Sequence, residues 1–416
     1  MKKYMHLIIT VGILVCVVAC SLCGCSKKKI TGTVDLNTGN NYKISKISNE
    51  NVDVQNYWST TTHSIAKGEG GYYYQSDSYD YLLFYDEELK DSYPVCGKAD
   101  CHHDTIECNA YIGHGIRAEK TDVSYLLGTV YYYQGYIYLL SDKGDLVKFA
   151  PDGSSREVIA NVYTYEGRTG INLVFCGDDV YVYDGVGHSG MKEEMVETIT
   201  RYSLDGKEKE VVVEYRGVGA SINNAKIYGN QLFFTIEEMQ KKEVDGIEQA
   251  VTEYSGLYVY NVETGEYGKA IDKPITGYCI DSQNNLLYYF EDAVGLFSFN
   301  IETEETKIIM EADEQSQKLE LSCDGKYVYT SNKIWNAQAK RTGKDITVEY
   351  LVLKADGTIV NRIACNNASS LKFGDEENLF IVLKSRDSGG TGMPCAMMSK
   401  SNIETASEWT VLPDKK

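Results

Sequence analysis

Cys96–Cys108 reads CGKADCHHDTIEC. Counting His103, the spacing is C-x4-C-x-H-x4-C, and His102 is the alternative imidazole. Three soft sulfur donors and one imidazole in so short a stretch could close a tetrahedral zinc site around Cys96, Cys101, His103 and Cys108. The spacing is not that of the common zinc fingers or ribbons, so the donor types carry the argument. Four protein donors leave no open position, which makes such a metal structural rather than catalytic. The competing chemistry is redox. Exported chains oxidise neighbouring cysteines, and one disulfide among Cys96, Cys101 and Cys108 would leave one thiol over.

Elsewhere the chain is poor in catalytic constellations. Past the N-terminal leader its histidines are His63, His102, His103, His114 and His188. Gly187-His188-Ser189-Gly190 lacks the Gly-x-Ser-x-Gly elbow of a serine hydrolase. No His-Glu-x-x-His, phosphate loop or dinucleotide fingerprint occurs. A pair of carboxylates for glycoside cleavage stays open, because acidic residues abound and their separations cannot be read from sequence. His188, in that flexible loop, and Trp335, which could stack on a sugar, are the ligand-face candidates. Cys176, Cys279, Cys323, Cys365 and Cys395 are scattered near strand-like runs, where cysteine acts as a small buried hydrophobe.

The elements that must position these residues are short strands. Thr129–Ala160 reads TVYYYQGYIYLLSDKGDLVKFAPDGSSREVIA. It is four β-branched or aromatic runs joined by tight turns at Gln134-Gly135 and Asp152-Gly153 and by a polar Ser141–Asp145, a four-stranded antiparallel meander. One meander cannot bury both faces, so it needs neighbours. The last hairpin of the unit recurs from Tyr81, Leu146, Ile199, Leu257, Leu296, Tyr350 and Met397. Seven units predict an all-β fold, a seven-bladed β-propeller of four-stranded antiparallel blades over residues 57–416. Two stacked β-sandwiches fit the even spacing less well. The last unit completes its own fourth strand at Glu408–Leu412, so the ring is expected to close by side-chain packing.

The phase of the repeat divides the faces. First-to-second and third-to-fourth connections are short. The long segments are the second-to-third connections Asp184–Thr198, Ile236–Gly256, Ser331–Glu349 and Lys384–Cys395, together with the crossover Gly97–Leu126. They belong to one face, which is therefore the expected place of function.

The formal net charge of −19 argues against nucleic acid, whose phosphates need basic grooves. The N-terminus carries an address. Lys2 and Lys3 precede an apolar run, Leu7–Val18, of signal-peptide length. Leu22-Cys23-Gly24-Cys25 then resembles the bacterial lipobox, with Val17–Cys20 a poorer second match. The resemblance implies a lipoprotein signal peptide over residues 1–24 and a lipidated, palmitate-bearing Cys25 that anchors the chain in a membrane. Residues 25–56 are polar and read as a flexible tether, with Val34–Gly39 a turn within it.

Over about Tyr57 to Leu412 the chain resembles the propeller lipoproteins of Gram-positive gut bacteria, and more loosely the YWTD-type and quinoprotein-like propellers. The C…C-x-H…C pattern followed by Asn109-Ala110 looks like one found in the former. That resemblance implies a propeller at the extracytoplasmic face of the bacterial cell membrane. The leading functional expectation is a non-enzymatic ligand- or protein-binding module. A carbohydrate-active enzyme using carboxylates of the loop-rich face, and a cell-surface assembly scaffold, are the alternatives.

Overall fold

The computed structural model describes residues 32–47, 58, 64–76, 80–113, 125, 129–163, 170–184, 194–244, 247–312, 320–331, 348–365, 368–383 and 394–413. They form seven sheets, each with four sequentially ordered antiparallel strands, and no α-helix. The blades span 65–94, 131–161, 171–218, 221–271, 275–311, 322–364 and 368–411. The first strands of blades 1 and 2, 3 and 4, and 5 and 6 touch one another, which places the first strands innermost. This is a seven-bladed β-propeller.

The core is divided as the blades are. It consists of seven apolar clusters, each lying between one blade and the next. Strand Gly71–Gln75 shows why the sequence runs look continuous rather than alternating. Tyr72 and Tyr74 point into the cluster shared with blade 7, and Tyr73 into the cluster shared with blade 2. Both faces of a blade are buried, so both sets of a period-2 pattern are apolar.

The heavy use of tyrosine has a backbone reason. The phenol oxygens of Tyr131, Tyr183 and Tyr350 accept hydrogen bonds from the amides of Leu173, Ala225 and Phe373, at 3.3, 3.1 and 2.9 Å. In each pair the amide belongs to the first strand, or its end, in the following blade. A tyrosine thus fills the space between blades and satisfies a buried amide there that phenylalanine would orphan.

Ring closure follows the expectation. Strand Thr410–Val411 pairs with Cys395–Ser399 and completes blade 7 from its own residues. The seam with blade 1 is made by side chains. Tyr72 Oη donates to Asp375 Oδ2 at 2.7 Å, Asn378 Nδ2 donates to Tyr72 Oη at 2.8 Å, and Lys67 Nζ lies 2.8 Å from Glu377 Oε2.

Two expectations are corrected. Residues 32–47, read as part of a flexible tether, are laid along the rim. Val34–Asp35 pairs in parallel with strand Lys209–Val218 as a fifth strand of blade 3. Asn41 bridges Lys269 on blade 4. Leu36, Ile44 and Ile47 are buried in the clusters between blades 3 and 4 and between 4 and 5. Ile236–Gly256, read as a loop, is a two-stranded ribbon, with Gln231–Val244 paired to Ile247–Asn261. The expected loops at 185–193, 332–347 and 384–393 lie outside the described residues, as do Cys25, His188 and Trp335.

Candidate metal centre and ligand cleft

The Cys–His segment begins where strand Asp91–Pro94 ends. It folds through tight turns: the amide of Cys101 bonds the carbonyl of Lys98, Cys108 that of Thr105, and Tyr111 that of Cys108. His103 sits at φ 56°, in the left-handed region, and this bend turns its ring inward while His102 stays exposed. The Sγ atoms of Cys96, Cys101 and Cys108 and a ring nitrogen of His103 all lie within 4.8 Å of one another. His103 Nδ1 is 3.3 Å from Cys108 Sγ. Sulfurs on a zinc tetrahedron with Zn–S bonds of about 2.3 Å are separated by about 3.8 Å, so the cluster is at the right scale. These four residues could hold a metal such as zinc. No disulfide joins any of the eight described cysteines to another.

The electrostatics favour a thiolate at one position. Burial opposes ionisation of Cys96, but the amides of Lys98 and Asn109 and the thiols of Cys108 and Cys101 donate to its sulfur, and it titrates below an ordinary thiol. Cys108 is buried deeper. Burial first, then the Cys101 and Cys96 sulfurs, push its thiol up to about 12. A bound cation would reverse that burden, because it stabilises every thiolate it touches.

The loop is held to three blades. Asn109 Nδ2 donates to the carbonyl of Gly153, on the last turn of blade 2, at 2.7 Å. A Cβ on Gly97 would lie 2.9 Å from Ser154 Cα, so only glycine lets the two backbones meet. On the other side, Cys96, Cys101 and Cys108 pack against Phe380, Val382, Cys395 and Leu412, at the seam between blades 7 and 1.

A cleft of about 880 Å³ opens across blades 6, 7 and 1. It is built from first-to-second and third-to-fourth connections, so it lies on the short-turn face, not on the face with the long connections. At its floor Lys400 Nζ is 3.4 Å from Asp324 Oδ2 and 4.2 Å from the centroid of the Tyr329 ring. Tyr329 Oη donates to the same carboxylate oxygen at 2.6 Å. The other oxygen of Asp324 accepts the amides of Lys326 and Tyr327, which fixes the turn. Burial lowers the affinity of Lys400 for its proton, against the pull of Asp324 and Asp375. On the blade 1 side, Asn378 Nδ2 donates to Glu87 Oε1 at 3.3 Å. Burial and then the Glu377 carboxylate raise the Glu87 carboxyl above its usual range.

Sequence reasoning pointed away from this cleft. Its parts come from turns more than two hundred residues apart, and a lysine such as Lys400 has no local signal that marks it as buried. The readable trace was the Asp324-Gly325-Lys326-Tyr327 turn, which looked like any other hairpin.

No family model matches the chain, and no curated protein does. Solved structures share the fold. A prolyl endopeptidase aligns at a TM-score of 0.54 with 14% identity, over 86% of this chain and 51% of its own. This chain thus spans about half of that protein. An oligogalacturonate lyase in complex with manganese aligns at 0.50 with 12% identity, over 78% of this chain and 84% of that one. TolB from Acinetobacter baumannii aligns at 0.38 with 12% identity, over 70% and 61%. At these identities the likeness to the endopeptidase and the lyase is one of fold: this chain is a seven-bladed β-propeller similar in architecture to two proteins of different activities.

Proposed function

We propose that the chain is a lipid-anchored, non-enzymatic binding propeller, exposed on the extracytoplasmic face of a bacterial membrane, that takes a polar ligand or protein segment in the cleft of blades 6, 7 and 1. One observation carries this reading: the polar floor of the cleft is pre-organised. Lys400 and Asp324 hold each other in place over the buried Tyr329, so a ligand meets charges already fixed instead of ordering them on arrival. The lipobox at Leu22–Cys25 supports the anchor. The test is an array of glycans and peptides probed with the ectodomain. The wild type is expected to retain a discrete set, and Lys326→Glu with Lys90→Glu, both at exposed positions of the lining, to lose it while the melting temperature holds. Retention unchanged by these variants would place binding elsewhere.

The same reading assigns a structural zinc to Cys96, Cys101, His103 and Cys108. The amides aimed at Cys96 and the mutual approach of four soft donors support it. With four protein ligands the ion would supply no catalysis. It would tie the crossover to the seam of the ring and offset the entropy of ordering it.

A glycoside-cleaving enzyme is the second reading, favoured by the raised carboxyl of Glu87 beside Glu377. A retained glycan that is also hydrolysed, with loss of turnover in Glu87→Gln, would replace the first reading by this one.

A further inference from the structure

Two lysines are buried on the inner strands of the ring. Lys226, on strand Ser221–Tyr228 of blade 4, is 4% exposed. Lys372, just past strand Ala368–Leu371 of blade 7, is 3% exposed. The two sit on the same rung. Lys226 pairs with Phe233, and the amide of Lys372 donates to the carbonyl of Phe380. Each phenylalanine is the third residue of its blade's second strand. Blades 4 and 7 stand three apart in a ring of seven, so the lysines rise on opposite sides of the central channel.

Glu320 belongs to the same channel. Its carbonyl accepts the Thr330 hydroxyl at 3.0 Å, which holds it in line with the inner strand of blade 6. Its carboxylate attracts the ammonium of Lys226, two blades back, and that of Lys372, one blade on. Cys279 of blade 5 and Cys323 of blade 6 are the other electrostatic neighbours of Lys226. A side chain of blade 4 that meets the inner strands of blades 5 and 6 alike extends into the central space.

There Lys226 lacks a partner equal to its charge. Among the described residues its Nζ makes no hydrogen bond and has no carboxylate within 4.0 Å. The centroid of the Tyr278 ring is 5.7 Å away, at the outer limit of a cation–π contact. The Cys323 thiol is no counter-ion, because the Cys279 sulfur and then burial hold it well above the ordinary thiol range. Asp281, at the end of the inner strand of blade 5, is occupied by Gln283 and Asn284 of its own turn. A buried ammonium is costly unless something charged or strongly polar faces it. Two of them against one carboxylate leave positive charge inside a protein whose net charge is −19.

We propose that the central channel binds a small oxyanion, held between the ammonium groups of Lys226 and Lys372 and beside Glu320. Each ammonium offers three donors to oxygen acceptors. Glu320 limits the negative charge that the site accepts, so its removal should tighten binding, whereas removal of either lysine should weaken it.

The test is calorimetric titration of the full chain, in detergent, with acetate, phosphate and sulfate, each against chloride at equal ionic strength. At least one of the three should bind and raise the melting temperature. Lys226→Met and Lys372→Met should each weaken that binding by about tenfold or more. Both should stay folded, since each removes a buried charge. Lys143→Met, on an exposed connection of blade 2, should leave the affinity unchanged. Glu320→Gln should tighten the binding of sulfate several-fold, an effect that mere loss of stability would not produce. No binding of any of the three anions would overturn the proposal. So would an affinity that both Lys→Met variants retain, or a Glu320→Gln variant that binds sulfate no tighter than wild type.

Discussion

The indole of Trp58 stacks on the ring of Phe380, with centroids 5.0 Å apart and planes inclined by 27°. A residue ahead of blade 1 is thereby fixed to the second strand of blade 7. Trp58 is 3% exposed and Phe380 fully buried. The ring is joined here by aromatic packing instead of an exchanged strand, and Tyr72 extends the contact edge-on to Phe380.

Trp58→Ala should therefore destabilise the propeller by about 3–5 kcal/mol, the usual cost of emptying a buried aromatic site. Urea unfolding measures it. A midpoint unchanged from wild type would mean that the ring is held shut elsewhere.

Residues 32–47 form a strap along blades 3 and 4, and its seat on blade 4 depends on one glycine. A Cβ on Gly268 would lie 2.5 Å from the carbonyl oxygen of Asn40. Gly268→Ala should lift residues 40–47 from blade 4 without opening the blades. Limited proteolysis should then cut within 32–47 faster than in wild type, with the remaining fragment resistant. Equal cutting rates would show that the strap has room to shift.

Lys372 is 3% exposed, and burial lowers its pKa from 10.5 to about 8, against the attraction of Glu320 and Cys395. Below pH 8 it is charged in both states, and the folded state carries the whole desolvation cost. From about 8 to 10.5 the unfolded chain holds more protons than the folded one, so this group makes stability rise with pH. Lys372→Met should stabilise the protein at pH 7, on the order of a few kcal/mol, and the gain should shrink as pH approaches 10. Melting curves of both proteins across that range decide it. A pH-independent difference would mean that the ammonium is hydrated in the folded state.

The blades were legible because each hairpin carries its own turn, as at Gly229-Asn230 or Asp324-Gly325, between runs that must be apolar on both faces. The Cys–His segment was legible because its donors are close in the chain. The strap was not: Leu36, Ile44 and Ile47 follow no period, and Val34–Asp35 pairs with a strand nearly two hundred residues away. The ribbon of blade 4 was missed because Glu237–Glu243 is charged and its tip projects as an exposed hairpin, stabilised by cross-strand pairs such as Lys241–Glu248 and Lys242–Glu253. The cleft was missed because it exists only when the turns of three blades are brought together.

The metal centre is the claim most directly open to measurement. The protein, purified without chelator, should carry about one zinc ion per chain by elemental mass spectrometry. The thiols of Cys96, Cys101 and Cys108 should react fully only after unfolding in chelator. Both Cys101→Ser and His103→Ala should lower the metal content and the melting temperature, because a tetrahedral site needs every donor. No bound metal, with two of the three loop thiols missing from the titration and His103→Ala without effect, would contradict the metal centre and leave a disulfide in its place.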